Sequence, residues 1–92
     1  MNPRVGMKVK AIKKYDGELP TGPGIIYYIG KASDDVEVYF PNWDKGHNGK
    51  HATELKKLGI KDYLFNCWIY PLSQINKYLT PIKNTLKTLL EE

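Results

Sequence analysis

The sequence predicts a small, mostly β domain: five short strands forming a barrel, a long loop before the fourth strand, and a C-terminal α-helix. Three observations predict this fold class. Short runs of β-branched and aromatic residues recur along the chain, clusters of Gly, Pro, Asp and Asn separate them, and sustained helical spacing of apolar residues occurs near the end. Ninety-two residues suffice for one domain. We expect the barrel to occupy residues 1–79 and the helix residues 80–92.

The first three strands are predicted from alternation and composition. Residues 7–13 alternate apolar side chains with Lys, as in a strand with one face in water. After a turn-rich segment, residues 25–29 are β-branched and aromatic throughout and predict a more buried strand. Residues 36–40 alternate again and should pair with residues 25–29 as a hairpin. The positions expected to point inward on the first and third strands are Met7, Val9, Ala11, Val36, Val38 and Phe40.

A long polar stretch, residues 42–62, follows the hairpin, and a loop of this length is usually functional or mobile. Within it, residues 52–58 could form one or two helical turns. Residues 63–70 predict an aromatic fourth strand. Residues 71–74 predict a tight helical turn, and residues 75–78 a short closing strand.

The last segment has the pattern of an amphipathic helix. Thr80 is a favourable N-cap, and Pro81 would occupy the first helical position, where its missing N–H is not needed. A helix of about a dozen residues is marginal alone, so it must pack against something. Both its own barrel and a partner are open possibilities. Its apolar face comprises Ile82, Leu86, Leu89 and Leu90.

The charge and the cysteine content indicate which kinds of partner the protein could bind and in which cellular compartment we expect it. The net charge is +4, and 13 of the 14 basic residues are Lys, which attract phosphate without reading base sequence. The apolar runs are short and the first four residues are MNPR, so we expect neither a membrane-spanning segment nor a secretory leader. Its lone cysteine, Cys67, is typical of a reducing compartment. We therefore expect a cytoplasmic protein that does not contact a membrane.

Two stretches carry a resemblance to a known group of proteins. Residues 5–12, followed by Gly22, Gly24 and a β-branched pair, resemble the opening of SH3-like and KOW-type barrels. The loop GHNGKH at residues 46–51 and the segment NCWIYP at residues 66–71 resemble small SH3-like proteins of phages and prophages. The resemblance covers residues 5–78 and implies an SH3-like barrel. Those proteins often have His before the Cys-Trp pair, where this chain has Asn66.

The sequence offers weak candidates for chemistry. His47 and His51 are four residues apart, with Asp44 and Cys67 as conceivable further zinc ligands. The neighbouring glycines disfavour a helix that would align the two imidazoles, so we expect two solvated loop histidines and no metal or cofactor. Cys67 lies in an aromatic strand, where a small buried thiol is common. We therefore predict no catalytic site.

Aromatic residues beside lysines provide the candidate binding surface. SH3-like barrels bind partners through aromatic side chains on the early loop, the hairpin and the turn before the last strand, where proline-rich peptides can dock. We expect Trp43 to be at least partly exposed and Trp68 to fill the core. The candidate partner-binding residues are Tyr15, Tyr39, Trp43, Lys45, Lys50, Lys56, Lys57 and Tyr70.

Three functions follow from these patterns. The first is a non-enzymatic interaction module, encoded by a phage or prophage, that binds a host or phage protein and could inhibit it. The second is an accessory KOW-like nucleic-acid-binding protein. The third is a structural or oligomerisation component that pairs through its C-terminal helix, so the chain would be a monomer or a weak homodimer. The nucleic-acid hypothesis uses the basic residues Lys8, Lys10, Lys13 and Lys14, with Tyr15 and Trp43 as aromatic surfaces.

Overall fold

The computed structural model describes residues 1–82, and the fold is mostly β. The predicted helix face beyond Ile82, with Leu86, Leu89 and Leu90, lies outside the described residues. None of the helices within residues 1–82 has the length and apolar character needed to cross a bilayer. The elements in chain order are β1 (Lys8–Ala11), β2 (Pro23–Gly30), β3 (Asp35–Tyr39), α1 (Ala52–Lys57), β4 (Cys67–Pro71), a 3₁₀ turn (Leu72–Gln74), α2 (Ile75–Tyr78) and β5 (Leu79–Pro81).

The five strands form one antiparallel sheet in the order β4-β3-β2-β1-β5. The predicted hairpin is confirmed, with Ile25 opposite Tyr39 and Gly30 opposite Asp35. Within residues 1–82 no ladder joins β4 to β5, so the sheet is open and the predicted closure into a barrel is not confirmed.

The main core lies on one face of this sheet. Val9 and Ala11 alternate with exposed lysines along β1, as the sequence predicts. Val36, Val38 and Phe40 are all completely buried, which confirms the inward positions of the third strand. Tyr70 from β4 and Leu79 from β5 join the same cluster, so side chains from both edges of the sheet share one core.

A second, smaller cluster covers the other face of the sheet. The pairing of β2 with β3 shifts between Ile26 and Tyr28, which is a β-bulge around Tyr27. Tyr27 packs there with Leu55 of α1 and Cys67 of β4. The long loop therefore supplies a cover for the central strands, and the helical turns predicted within it are confirmed as α1.

The end of the described chain differs from the prediction. Residues 75–78 form a helical turn rather than a strand, and the closing strand is β5, which contains Thr80 and Pro81. The predicted helix start at Thr80 is therefore wrong. Pairing with β1 explains the difference: Ile12 N–H donates to the Tyr78 carbonyl at 2.8 Å, and Ile82 N–H to the Lys8 carbonyl at 2.9 Å. An edge strand tolerates proline because not every N–H there needs a partner.

The fourth strand is also shorter than predicted, because β4 begins at Cys67 rather than residue 63. Phe65 has a positive φ of 62°, which interrupts extended backbone just before the strand. Asn66 then bridges the loop, since its Nδ2 donates to the Trp43 carbonyl at 2.8 Å.

Candidate interaction surface

A buried polar cluster lies beneath the long loop. Glu37, on the interior strand β3, is only 1% exposed, and its Oε2 lies 2.8 Å from His51 Nδ1. The His51 ring stacks on Tyr28 with 3.6 Å between ring centroids. The His51 side chain is 39% exposed, so it meets solvent as predicted, but its ring is also held by a carboxylate on one side and an aromatic face on the other.

Tyr27 and Cys67 complete this cluster. Burial raises the pKa of the Tyr27 hydroxyl, and neighbouring Glu37 raises it further. Burial raises the pKa of the Cys67 thiol to about 11, so the thiol is protonated at neutral pH and is a poor nucleophile. The predicted burial of Cys67 is confirmed.

Two atoms of the cluster lack hydrogen-bond partners among residues 1–82: Tyr27 Oη and Glu37 Oε1. No three His, Cys, Asp or Glu side chains in this part of the chain are arranged to hold a metal ion. The cluster thus fixes the loop to the sheet through His51, and the geometry of the described residues offers no metal centre.

A second feature is an exposed surface beside β4, which we call the loop surface. It combines two adjoining depressions, of about 590 and 240 Å³, that share His47 and Ile69. The residues that define it are Tyr15, Asp16, Gly46, His47, Asn48, Lys50, Phe65, Trp68 and Ile69.

Phe65 is the most unusual residue of the loop surface. Its side chain is 56% exposed, and its backbone is in the left-handed region that bulky residues avoid. Two contacts hold it there: Phe65 N–H donates to Asn48 Oδ1 at 3.2 Å, and the Phe65 carbonyl accepts from Gly46 N–H at 2.9 Å. The preceding Leu64 is also 59% exposed, so two large apolar side chains lie together at this tip.

The GHNG segment fixes this tip to the sheet. His47 and Cys67 exchange two backbone hydrogen bonds of 3.0 Å. A Cβ atom at Gly46 would collide with the Cys67 carbonyl oxygen, and one at Gly49 would collide with Leu55. Both glycines are therefore required by close packing, which gives a structural reason for the motif that the sequence singled out.

Aromatic rings form the other half of the loop surface. The His47 and Trp68 ring centroids are 5.4 Å apart. Trp68 Nε1 donates to the Tyr15 carbonyl at 3.0 Å, which ties the early loop to β4. Trp68 is partly buried, because its side chain packs against the main core cluster and also lines the loop surface.

Two predicted contact residues are not available to a partner. Trp43 is 6% exposed and packs edge-on against Phe40 and Trp68, so the prediction of partial exposure is wrong. Tyr70 is completely buried in the same core. Indole and phenol side chains of this size contribute more by filling a small core than by lying in water.

Tyr39 lies in a different place, on the outer face of the sheet, where its hydroxyl donates to the Asp62 carbonyl at 3.0 Å. It lines an apolar groove of about 360 Å³, which we call the sheet groove. Its main lining residues are Lys8, Ile25, Tyr39, Leu58, Ile60 and Ile82.

All of the predicted basic residues are exposed. Lys50 belongs to the loop surface, and Lys57 pairs with Glu54 at 3.4 Å on α1. Lys8 and Lys10 point away from the core on β1. The exposed lysines from both predicted sets are Lys8, Lys10, Lys13, Lys14, Lys45, Lys50, Lys56 and Lys57.

Leu64, Phe65 and Ile69 were not among the predicted contact residues, because residues 63–70 have the composition of an ordinary strand. The signal that could have found them is weak: five consecutive residues from 63 to 67 include three large apolar side chains without clean alternation.

Comparison of the chain with protein-family models, with curated proteins and with solved structures gave no match.

Proposed function

We propose that this protein is a non-enzymatic interaction module that binds another protein through the loop surface and Leu64. The observation that carries the proposal is Phe65, a large apolar residue that is exposed and backbone-strained at the same time. Left-handed backbone at such a residue is unfavourable by about 1–2 kcal/mol, and strained residues concentrate at binding and switch sites.

The chemistry of the surface supports a protein partner with apolar side chains. Phe65, Trp68 and Ile69 offer aromatic and aliphatic contact area, and Asn48 and His47 add polar groups between them. Lys50 lines the surface, and Lys45, which precedes the lining residue Gly46 in sequence, is exposed. A segment with apolar anchors flanked by acidic residues is the complementary partner, because aromatic anchors supply affinity while charges at the rim favour the encounter.

The proposal includes an SH3-like architecture and a phage or prophage origin, with a host or phage protein as the partner. The strand order β4-β3-β2-β1-β5 and the 3₁₀ turn before the last strand support the SH3-like arrangement. The GHNGKH and NCWIYP segments support the resemblance to phage proteins. Inhibition of the partner is one form that this function could take.

The test compares the parent chain with Phe65→Gly as baits in lysate of the producing host, followed by affinity measurement with the purified partner. Phe65→Gly should change the free energy of unfolding by less than about 1 kcal/mol, because relief of strain offsets the added backbone freedom. We expect binding to weaken by about tenfold or more, as for other anchor residues.

Val5→Ser is the matched control, since Val5 is another exposed apolar residue but lies outside the loop surface. It should leave the affinity unchanged. Equal affinity of the parent and Phe65→Gly for the captured protein would contradict the assigned surface.

Nucleic-acid binding is the second candidate, favoured by the exposure of Lys8, Lys10, Lys13 and Lys14. Its aromatic component is weaker than the sequence suggested, because Trp43 is buried and Tyr15 packs against Tyr70 and Tyr78. Binding through these lysines requires affinity that falls steeply as salt rises, by release of counterions. Unchanged gel mobility of DNA and RNA at low salt would exclude this candidate.

A further inference from the structure

The backbone of β4 has one side that does not pair with β3, because β4 is an edge strand of the sheet. In an antiparallel ladder, the backbone groups of successive residues point alternately toward the partner strand and away from it. Phe40 N–H donates to the Asn66 carbonyl at 2.8 Å at one end of this pairing. Leu72 N–H donates to the Asp34 carbonyl at 2.9 Å at the other end. The register between these two ends therefore directs the N–H and carbonyl of Ile69 away from β3.

The long loop pairs with one position of this outer edge and then leaves it. His47 and Cys67 exchange two backbone hydrogen bonds, so His47 occupies the place of a further strand beside β4. A continuation of that strand would reach Ile69, but Gly46 N–H donates to the Phe65 carbonyl instead. Within residues 1–82, the N–H and carbonyl of Ile69 have no hydrogen-bond partner. The edge thus offers a backbone donor and acceptor next to a pairing that has already begun.

The two depressions of the loop surface extend to opposite faces of this edge. Trp68 and Tyr15 line the smaller depression and pack against the main core cluster. Ile69 and Phe65 line the larger one. Ile69 follows Trp68 in the strand and is opposite Glu37, so its side chain points to the other face of the sheet. An added strand also directs successive side chains to opposite faces, so its neighbouring residues would enter the two depressions in turn.

The charges in the two depressions differ in sign. Lys50 lines the larger depression and Asp16 the smaller one. Both side chains are exposed, and neither belongs to an ion pair within residues 1–82. The complementary strand therefore has an acidic and a basic side chain at adjacent positions, beside apolar residues that contact Phe65 and Trp68.

We propose that the partner binds the loop surface as an added β-strand on the outer edge of β4, with backbone hydrogen bonds to Ile69. This inference rests on the proposed function, because it names the conformation and the charge pattern of the segment that the loop surface binds. In strand addition, main-chain hydrogen bonds supply affinity and alternate side chains supply specificity. Pro71 lacks an N–H and ends β4, so the paired stretch beside Ile69 is short.

The test uses the isotope-labelled full chain and a capped synthetic peptide, Thr-Glu-Lys-Val-Tyr-Thr, which has the adjacent acidic and basic side chains. Binding should shift the amide resonance of Ile69 and slow its hydrogen exchange, because the N–H then donates to the peptide backbone. The absence of both effects would overturn the proposal. Slow exchange of this amide in the chain alone would also overturn it, because the edge would already be covered. Slowing that grows with protein concentration, without peptide, would instead assign the edge to a second copy.

Two N-methylated forms of the peptide are matched probes with identical side chains. One is methylated at Glu and Val and the other at Lys and Tyr, so each form lacks the backbone donors on one edge of the extended peptide. Strand addition requires that one form binds at least about threefold more weakly than the unmethylated peptide, while the other keeps most of its affinity. Equal affinities of the two forms would show that the peptide binds through its side chains and would contradict strand addition.

Ile69→Pro and Ile69→Ala make the same comparison on the protein. Both remove the isoleucine side chain, but only proline removes the outward N–H, a loss that an edge strand tolerates. Ile69→Pro should bind the peptide about three- to tenfold more weakly than Ile69→Ala, as expected for one hydrogen bond. Equal affinity of these two variants would refute strand addition but not the proposed function. The proposed function fails separately, if Phe65→Gly keeps the parent affinity for the captured protein.

Discussion

Glu37 illustrates how one residue can connect a loop to a sheet. Its carboxylate is enclosed between β3 and the long loop, and His51 is its hydrogen-bond partner. Leaving a buried charged group without a partner is costly, so the loop is held most firmly where His51 meets Glu37. The contact also lies at the start of α1, since His51 directly precedes the helix.

We predict that His51→Ala lowers the free energy of unfolding by about 1–3 kcal/mol, because Glu37 is then buried without its partner. Adding Glu37→Gln should recover part of the loss, since a neutral amide is less costly to bury than a carboxylate. Urea unfolding of the four chains in a double-mutant cycle measures the coupling.

His47→Ala is the control for this cycle. Within residues 1–82, the His47 ring makes one hydrogen bond, with the Asn48 carbonyl, and this hydrogen bond is exposed to solvent. We expect a smaller loss of stability than for His51→Ala. An equal loss for the two histidines would contradict the role assigned to the Glu37 contact.

Sequence patterns located the inward residues of β1 and β3 but not Glu37 or Phe65. Alternation assigns Glu37 to the outer face, and it does lie there; the sequence does not show that α1 covers that face. The conformation of Phe65 could not be predicted from the sequence for a different reason. Its conformation depends on Asn48 and Gly46, which are distant in sequence and approach it only after folding.

At the scale of elements, the turn between β2 and β3 is hydrogen-bonded to the 3₁₀ turn that follows β4. Asp34 has a positive φ of 58°, and its two carboxylate oxygens accept hydrogen bonds from Ser73 N–H at 2.7 Å and Ser73 Oγ at 2.8 Å. Its carbonyl also accepts from Leu72 N–H. The hairpin turn therefore holds the 3₁₀ turn that leads into α2.

We predict that Asp34→Ala lowers the free energy of unfolding by about 2 kcal/mol, since it removes two charge-assisted hydrogen bonds. The alanine also has a Cβ atom, so the strain of the left-handed backbone remains. Asp34→Gly removes the same hydrogen bonds without that strain and should cost about half as much. Chemical unfolding measures both values, and equal losses would show that backbone strain at this turn is negligible.

Elements with local signals were predicted well, and those set by long-range pairing were not. The hairpin, α1 and the 3₁₀ turn each have their pattern within a few residues. Thr80 and Pro81 have good helix-start chemistry, yet they pair with Lys10 and Val9. Backbone hydrogen bonds to β1 outweigh a local preference that amounts to about 1 kcal/mol.

At the scale of the whole molecule, the two clusters bury several groups that ionise at high pH. Cys67 and Tyr27 lie in one cluster and Tyr70 in the other, and burial raises the pKa of each. For Cys67 the ordinary value of 9.0 rises to about 11. The folded protein thus keeps its thiol proton at a pH where the unfolded chain releases it.

The contribution of these buried groups to the free energy of unfolding should therefore be fully present below pH 9 and should decline as pH rises from 9 toward 11. In this range the unfolded chain binds fewer protons than the folded protein. We expect a loss of about 1 kcal/mol from Cys67 between pH 7 and pH 10. Urea unfolding across this range measures it. Cys67→Ala should show a flatter decline, and an unchanged slope would contradict the assignment to the thiol.

The position of β1 has a consequence for synthesis of the chain. This strand pairs with β2 on one side and with β5 on the other, where Val9 meets Pro81. On the ribosome β1 emerges early, but its second edge has no complement until nearly the whole described chain has left the exit tunnel. Until then an unpaired strand edge is open to wrong pairing. Lys8 and Lys10, the exposed residues of β1, are of the type that protects a strand edge from aggregation before β5 is available to pair with it.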